Sequence, residues 1–561
     1  MAASASVSPG WAQAAESTPI DYGALRALVV EDSSSMRNAL RLTLSNFGIT
    51  KVQLCSTASE AIYHVKLRDY DFILCDFNLG DGRDGQQLLE ELRHSGLISI
   101  NTVFMMVTAE SYYEKVVATA ELAPDDYMIK PFSPEVLRHR LESILLRKRA
   151  FREVYQHFLD QNLEAAAAAC DALIARQPKY LVDAMRFKGE LLVALGRFEE
   201  AEALYQQVIA MRAIPWARLG LARALHLQNK DDAAEIELRD VLEQAPEMVG
   251  AYDLLSDVCL TKKDAVAAQE ALERGVSVSA RTVRRLQKLG EIAHANGDLE
   301  TARIACSQAL DKGRHSIFIT PNDFANLCRV QVEQGDLDGA AETLKKNKNL
   351  LVDSPEGQLV LAVTQGMVHT RNGNMTDAAK ALDEAMRLRA AGTRGDAKMM
   401  LDLASTCMAT GRHGEADGIV AEVARNAHDS DALLSKARQI YENAGRSDAG
   451  FDVLAQATTG VRKLNNEGVV LAQRGDFKTA VEKLLVACTE APHNPRIMMN
   501  AVWVILKYID QAGMDEAMIE TARHHLDEAE RQAPGHARIA GLRLHLKDVE
   551  SRFGITRKGA G

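Results

Sequence analysis

Residues 71–79 read Asp71-Phe72-Ile73-Leu74-Cys75-Asp76-Phe77-Asn78-Leu79. Four apolar residues run straight into an aspartate, the pattern of a strand buried on both faces of a parallel sheet. In open α/β sheets, ligands gather outside the carboxyl ends of the strands, so Asp76 falls where a site forms.

The neighbouring segments repeat the theme. Ala27-Leu28-Val29-Val30 is a first buried strand ending in Glu31-Asp32, and a helix follows from Ser33 to Phe47, stopped by Gly48. Val52–Cys55 is a second strand, and Thr57-Ala58-Ser59-Glu60 has the form of a capping box opening a second helix. After the Asp76 strand come a helix over Gly85–His94, a strand over Thr102–Thr108, a helix over Ser111–Leu122 and a strand over Tyr127–Lys130. Ser133-Pro134-Glu135 starts a fifth helix. Five βα units of this length predict a flavodoxin-like, doubly wound, five-stranded parallel sheet with helices on both faces.

Glu31, Asp32, Asp76, Thr108 and Lys130 all fall at strand carboxyl ends. Three crowded carboxylates repel one another and call for a cation, and oxygen ligands without His or Cys suit Mg2+. A carboxylate nucleophile with Mg2+, a lysine and a hydroxyl donor makes a phosphoryl-transfer site.

The motifs Val29-Val30-Glu31-Asp32-Ser33, Leu74-Cys75-Asp76, Val107-Thr108-Ala109 and Asp125-Asp126-Tyr127-Met128-Ile129-Lys130-Pro131-Phe132 resemble those of a response-regulator receiver domain. The resemblance covers residues 23–149. It implies that Asp76 accepts a phosphoryl group from a histidine kinase or phosphotransfer protein. It also implies Asp32 as a direct Mg2+ ligand, Glu31 as a water-mediated one, and the carbonyl of Asn78 beside Asp76 as another. Thr108 and Lys130 hold phosphoryl oxygens, a cis bond joins Lys130 to Pro131, and Tyr127 is the aromatic that follows Thr108 inward. Asn78 and Glu110 match the pair found in the chemotaxis regulators of this family, which implies a short-lived phosphoryl state. Two departures are the long, acidic, glycine-rich loop Leu79–Gly85 and Leu122-Ala123-Pro124 in place of the usual Gly-Ala.

Beyond Phe132 the strand signals stop. The fifth helix ends in Arg147-Lys148-Arg149, and the basic run Arg138–Arg152 reads as a solvated helix face. From about residue 150 to 535 one short pattern recurs. A glycine closes a helix, and an alanine follows five residues later: Gly196/Ala201, Gly297/Ala302, Gly335/Ala340, Gly373/Ala378, Gly411/Ala416 and Gly475/Ala480. Seven residues before each glycine stands Gly189, Gly290, Cys328, Gly366, Ala404 or Gly468, so small is expected to face small across each hairpin. The spacing resembles tetratricopeptide repeats, implying an all-α solenoid of about ten or eleven helical hairpins with a concave groove for a protein or peptide. The alanine step is 33 or 34 residues from Ala201 through Ala234 and Ala268 to Ala302, then 38 for Ala340, Ala378 and Ala416. Arg523 to Asp548 is expected to supply a capping helix, with residues 536–561 as cap and tail.

Composition narrows the function. The 561 residues are 47% hydrophobic and 25% charged, as in ordinary globular proteins, and the net charge of −11 opposes a nucleic-acid binder. None of the eight cysteines sits in a CxxC, so they read as buried hydrophobes of a reducing compartment. No run approaches the roughly 18 apolar residues of a membrane span. Residues 1–22 read as a disordered lead-in without a secretory pattern, and the expected location is the cytoplasm. His139, His226, His294, His369, His413 and the pair His524-His525 lack partners at metal-ligand spacing. The expected protein is a phosphoacceptor signalling protein whose output is protein binding, not an enzyme beyond Mg2+-dependent loss of its own phosphate. The alternatives are a phosphatase or phosphate sink acting on another receiver, and a scaffold that uses the receiver only for docking. Homodimerisation is left open.

Overall fold

The computed structural model describes residues 20–80, 82–109, 124–212, 214–279, 282–314, 316–533 and 536–554. Strands β1 (Arg26–Val30), β2 (Lys51–Cys55), β3 (Phe72–Asp76), β4 (Val103–Thr108) and β5 (Asp126–Ile129) form one sheet in the order β2-β1-β3-β4-β5. Every pairing is parallel. The register sets Val30 beside Cys75, Asp76 beside Val107 and Thr108 beside Ile129. Alternate residues of each strand point to opposite faces. Leu28, Ile73, Cys75, Phe104 and Met106 pack under α2 (Ala58–Leu67) and α3 (Gly85–His94). Val29, Phe72, Leu74, Met105 and Val107 pack under α1 (Ser34–Asn46) and α4 (Pro134–Ala150). Both faces being covered explains why the strands read as unbroken apolar runs. The helix expected over Ser111–Leu122 and the lead-in over residues 1–19 lie outside the described residues.

Local chemistry sets the helix starts. Ser33, Thr57 and Ser133 cap α1, α2 and α4, and Pro134 occupies the first turn of α4. At α2 the capping box is shifted. Thr57 accepts from Glu60 N at 3.2 Å, while the Glu60 carboxylate turns to the backbone N of Ser56 at 2.6 Å.

A single residue, buried Phe151, separates α4 from the next helix, Arg152–Leu159. The basic end of α4 is not simply a solvated face. Lys148 is buried, reaches Asp125 Oδ1 at 2.7 Å, and donates to the carbonyl of Ile100. It also lies 5.5 Å from the centre of the Tyr155 ring. Arg147 Nη1 adds a contact to Asp183 at 3.7 Å. The Tyr155 and Asp183 contacts fasten the sheet domain to the first two helical hairpins.

The remainder is helical and antiparallel, in pairs such as Leu181–Ala194 with Phe198–Met211 and Val283–Ala295 with Leu299–Lys312. The six recurring glycines all have φ between 74° and 85°, the left-handed geometry that ends a helix without a Cβ penalty. The alanines that follow them are fully buried. Small meets small at one hairpin, where Cys328 Sγ lies 3.7 Å from the carbonyl of Ala340, but Gly189, Gly290 and Gly468 are filled first by other side chains. A Cβ on Gly189 would lie 2.6 Å from the Tyr205 ring, one on Gly290 2.7 Å from Cys306 Sγ, and one on Gly468 2.6 Å from Leu484. Small therefore accommodates large, because the side chain that crosses the hairpin comes from one turn after the alanine.

Two stretches of the array depart from simple hairpins or from the expected cap. Ser447–Gln473 is one continuous helix, the second member of one hairpin and the first of the next. No left-handed glycine interrupts it, since Gly460 is accommodated inside the helix. Arg523 to Asp548 is not one helix: Glu516–Gln532 ends before the last one, Ala537–Arg552, begins. The array also meets itself, as Lys547 Nζ of that last helix donates to the carbonyl of Gln161 at 2.8 Å.

Candidate functional site

The strand order reverses between β1 and β3, and there the sheet opens a crevice at its carboxyl edge. Asp76 enters it at the end of β3, Glu31 and Asp32 just after β1, Thr108 at the end of β4 and Lys130 just after β5. Lys130 Nζ lies 3.0 Å from Asp76 Oδ2 and 2.9 Å from Glu31 Oε2. One carboxylate oxygen each from Glu31, Asp32 and Asp76 falls within 4.8 Å of the others. Glu31, Asp76 and Thr108 are buried, whereas Asp32 and Asn78 are exposed. The crevice is thus closed below and open to a ligand above.

The electrostatics follow from the crowding. Burial pushes the Glu31 carboxyl up, the Lys130 hydrogen bond pulls it back, and the neighbouring Asp76 charge raises it again; the net shift is upward. Burial lowers the Lys130 ammonium, but its bonds to Glu31 and Asp76 outweigh that and leave it raised. Lys130 therefore stays a fixed cation at neutral pH. Three carboxylates against one ammonium form a hard-oxygen donor set that fits a divalent cation such as Mg2+.

The backbone holds the parts in place. Lys130 N donates to Thr108 O at 2.7 Å, Phe77 N to Val107 O at 2.8 Å and Gly85 N to Phe77 O at 2.8 Å. The Lys130–Pro131 peptide bond is cis. Tyr127 is 5% exposed, and its hydroxyl has no hydrogen-bond partner among the described residues. Burial, followed by the Glu90 charge, pushes its phenol far above the ordinary range. Tyr127 thus lies inward, packed on the α2–α3 side of the sheet. Glu110 lies outside the described residues.

Two contributors were not singled out from the sequence. Arg37, one turn into α1, donates to the carbonyls of Glu31 and, at 3.0 Å, of Asp32, fixing the acidic turn. Gly85 opens α3 hard against the site, where a Cβ would lie 2.4 Å from the carbonyl O of Asp76 and 2.8 Å from Met106 Sδ. Nothing in the local sequence announces either contact, because both depend on how a helix crosses a strand end. Among the described residues, no other group of three acidic, His or Cys side chains comes together in this way.

Comparison with known proteins agrees with this geometry. Residues 27–142 match the response regulator receiver domain family. Residues 182–249 and 324–346 match tetratricopeptide repeat families. The chain is 29% identical over 123 residues to chemotaxis protein CheY-3 of Vibrio cholerae, covering 22% of this chain and 93% of that protein. It is 28% identical over 123 residues to chemotaxis protein CheY of Pseudomonas aeruginosa, covering 22% of this chain and 98% of that protein. A solved tetratricopeptide repeat protein from Parabacteroides merdae aligns at 13% identity and a TM-score of 0.28, over 46% of this chain and 99% of that one. Residues 27–142 are a response regulator receiver domain, and the helical array that follows it contains tetratricopeptide repeats.

Proposed function

We propose that this chain is a cytoplasmic two-component response regulator. A histidine kinase or phosphotransfer protein passes a phosphoryl group to Asp76, and the phosphoryl state controls protein contacts of the helical array. The observation that carries this reading is Lys130 Nζ at 3.0 Å from Asp76 Oδ2, inside the cluster of Glu31, Asp32 and Asp76.

The Asp76 carboxylate is the nucleophile. A P–O bond to it forms as the P–N bond of a phosphohistidine breaks. Glu31, Asp32, Asp76 and the Asn78 carbonyl would hold Mg2+, which supplies charge neutralisation to the phosphoryl oxygens. Lys130 and Thr108 hold those oxygens from the other side, and Lys130 does so without losing its proton. Tyr127 occupies the space below and follows Thr108. Asn78, two residues after the acceptor, and Glu110, two residues after Thr108 in the sequence, keep the phosphoryl state short-lived.

The test is phosphorylation of the purified full chain by acetyl phosphate with Mg2+, read by intact mass. One phosphoryl group on the wild type and none on Asp76→Asn is the expected result. Equal labelling of both proteins, or of neither, refutes the assignment.

A further inference from the structure

The first 38-residue step of the array, from Ala302 to Ala340, has a definite location. Helices Ala265–Val278 and Leu299–Lys312 are both 14 residues long. The junction that follows the first is residues 279–282, and the one that follows the second is residues 313–320. The four extra residues thus extend one loop. That loop touches the receiver domain. Gln87 Nε2 of α3 donates to the carbonyl of Lys312 at 3.0 Å. His94, at the other end of α3, packs edge-on against Phe318 with ring centres 5.4 Å apart. The guanidinium of Arg284 covers the same Phe318 ring at 4.0 Å.

The other end of this contact is Asp76. Gly85 rests on the Asp76 main chain, so α3 cannot shift without disturbing the site, nor the site without disturbing α3. Resting on the reading of Asp76 as the phosphoacceptor, we infer that α3 is the lever between Asp76 and the array. Arg284, the Lys312 carbonyl and Phe318 form its receptor, and phosphorylation loosens that contact and uncovers Phe318.

The sign comes from charge. Phosphorylation adds about 1.5 to 2 negative charges at neutral pH. Asp84 caps α3, and Glu90 and Glu91 lie along it. Burial lifts the Glu90 carboxyl, as does the Asp84 charge, against the pull of Arg284. A further anion at Asp76 repels the Asp84 carboxylate that caps α3 and so works against the helix's seating. The second attachment, Lys148 with Asp125 and Tyr155, sits beside edge strand β5, where Arg93 of α3 also reaches Asp125 at 3.5 Å, and it keeps the receiver tethered when the Phe318 contact opens.

The experiment uses the full chain, beryllofluoride with Mg2+ as the phosphoryl mimic, and hydrogen exchange. Bound mimic should speed exchange in residues 283–288 and 312–318 while leaving residues 152–176 unchanged. Asp76→Asn should show no response. The double variant His94→Ala, Phe318→Ala removes the ring contact while sparing the Asp84–Gln87 cap of α3, and should show fast exchange there without the mimic. By linkage it should bind the mimic about fivefold or more tightly than wild type. Mimic bound with unchanged exchange at 312–318, or equal affinities in variant and wild type, overturns the lever while sparing Asp76 as the acceptor. Failure of the mimic to bind at all overturns both.

Discussion

Replacing Asp402 by alanine should damage the array more than any single surface change. Arg329, on helix Pro321–Gln334, brings Nε to 2.6 Å from Asp402 Oδ2 on helix Ala397–Ala409. Lys436 reaches Asp402 Oδ1 at 3.1 Å from the next hairpin. Both partners of the main pair are buried, with side chains 4% and 8% exposed. Burial alone would raise the Asp402 carboxyl, and Arg329 and Lys436 reverse that to a net lowering. Without Asp402, Lys436 can turn to water, but Arg329 keeps only Asn326 Oδ1, at 2.6 Å, as a side-chain hydrogen-bond partner among the described residues. An uncompensated buried charge costs about 3–5 kcal/mol, against roughly 0–1 kcal/mol for an exposed pair such as Arg387–Glu384. Each 1.4 kcal/mol is a factor of about ten, so exchange in Pro321–Gln334 and Ala397–Ala409 should quicken at least about a hundredfold. Helix Phe477–Glu490, beyond the network, should change far less, since stability in such arrays is local. The double variant Arg329→Met, Asp402→Leu should recover most of the loss, because it removes both desolvated charges. An Asp402→Ala loss below about 1 kcal/mol, or a double variant as damaged as the single, would refute this account of the network.

Three further outcomes are expected. Gly85→Ala gains roughly 1 kcal/mol of helix propensity at most but forces a Cβ into the Asp76 carbonyl; a net loss of about 1–3 kcal/mol in thermal unfolding and slower acetyl phosphate labelling should result, and a stabilised, normally labelled protein would contradict it. Phosphorylated protein with Mg2+ should lose its label within minutes, faster than Asn78→Ala or Glu110→Ala, as followed by intact mass. Burial lowers His493, His525 and His536 from 6.5, with Arg394, His524 and Arg538 respectively adding to the effect. A lowered folded-state value means that the unfolded chain binds more protons, so their contribution is present above 6.5 and is lost as pH falls below it. Exchange in Pro495–Ala512 and Glu516–Gln532 should therefore quicken in mild acid before that in α3 does.

The sheet was legible because a strand covered on both faces needs an unbroken apolar run, and 72–75 has one. The acidic site was legible because strand ends in such a sheet converge, so Glu31, Asp76, Thr108 and Lys130 could be grouped without coordinates. Arg37 and Gly85 were not, since one acts on carbonyls and the other by the absence of a side chain. The array was legible as glycine and alanine spacing, yet the partners of Gly189 and Gly468 were misassigned. Spacing shows that room is made, not which side chain fills it. The long helix Ser447–Gln473 holds neither a left-handed residue nor a proline, the two features that reliably break a helical pattern. Lys148 read as a surface cation because nothing local records that Asp125 and the Ile100 carbonyl lie beneath it.

The same contacts bear on where a partner can bind. Lys398 lies 3.5 Å from Glu291, and Arg329 meets Asp402, so helices from non-adjacent hairpins touch. In a curved stack only the inner face brings such hairpins together. Across residues 291–436 that face is bridged by its own ion pairs, and an extended peptide laid there would have to break them. The longer of the two junctions compared, residues 313–320, is the one that α3 touches. Gln287 Nε2 links the far side of this junction to the stack, donating to Phe318 O and Asp323 Oδ1, both at 2.9 Å. A change at Phe318 therefore bears first on helix Pro321–Gln334, the helix that carries Arg329. On this geometry the receiver gates an edge of the array rather than its groove, and the array's inner ion pairs hold that edge rigid enough for α3 to press against.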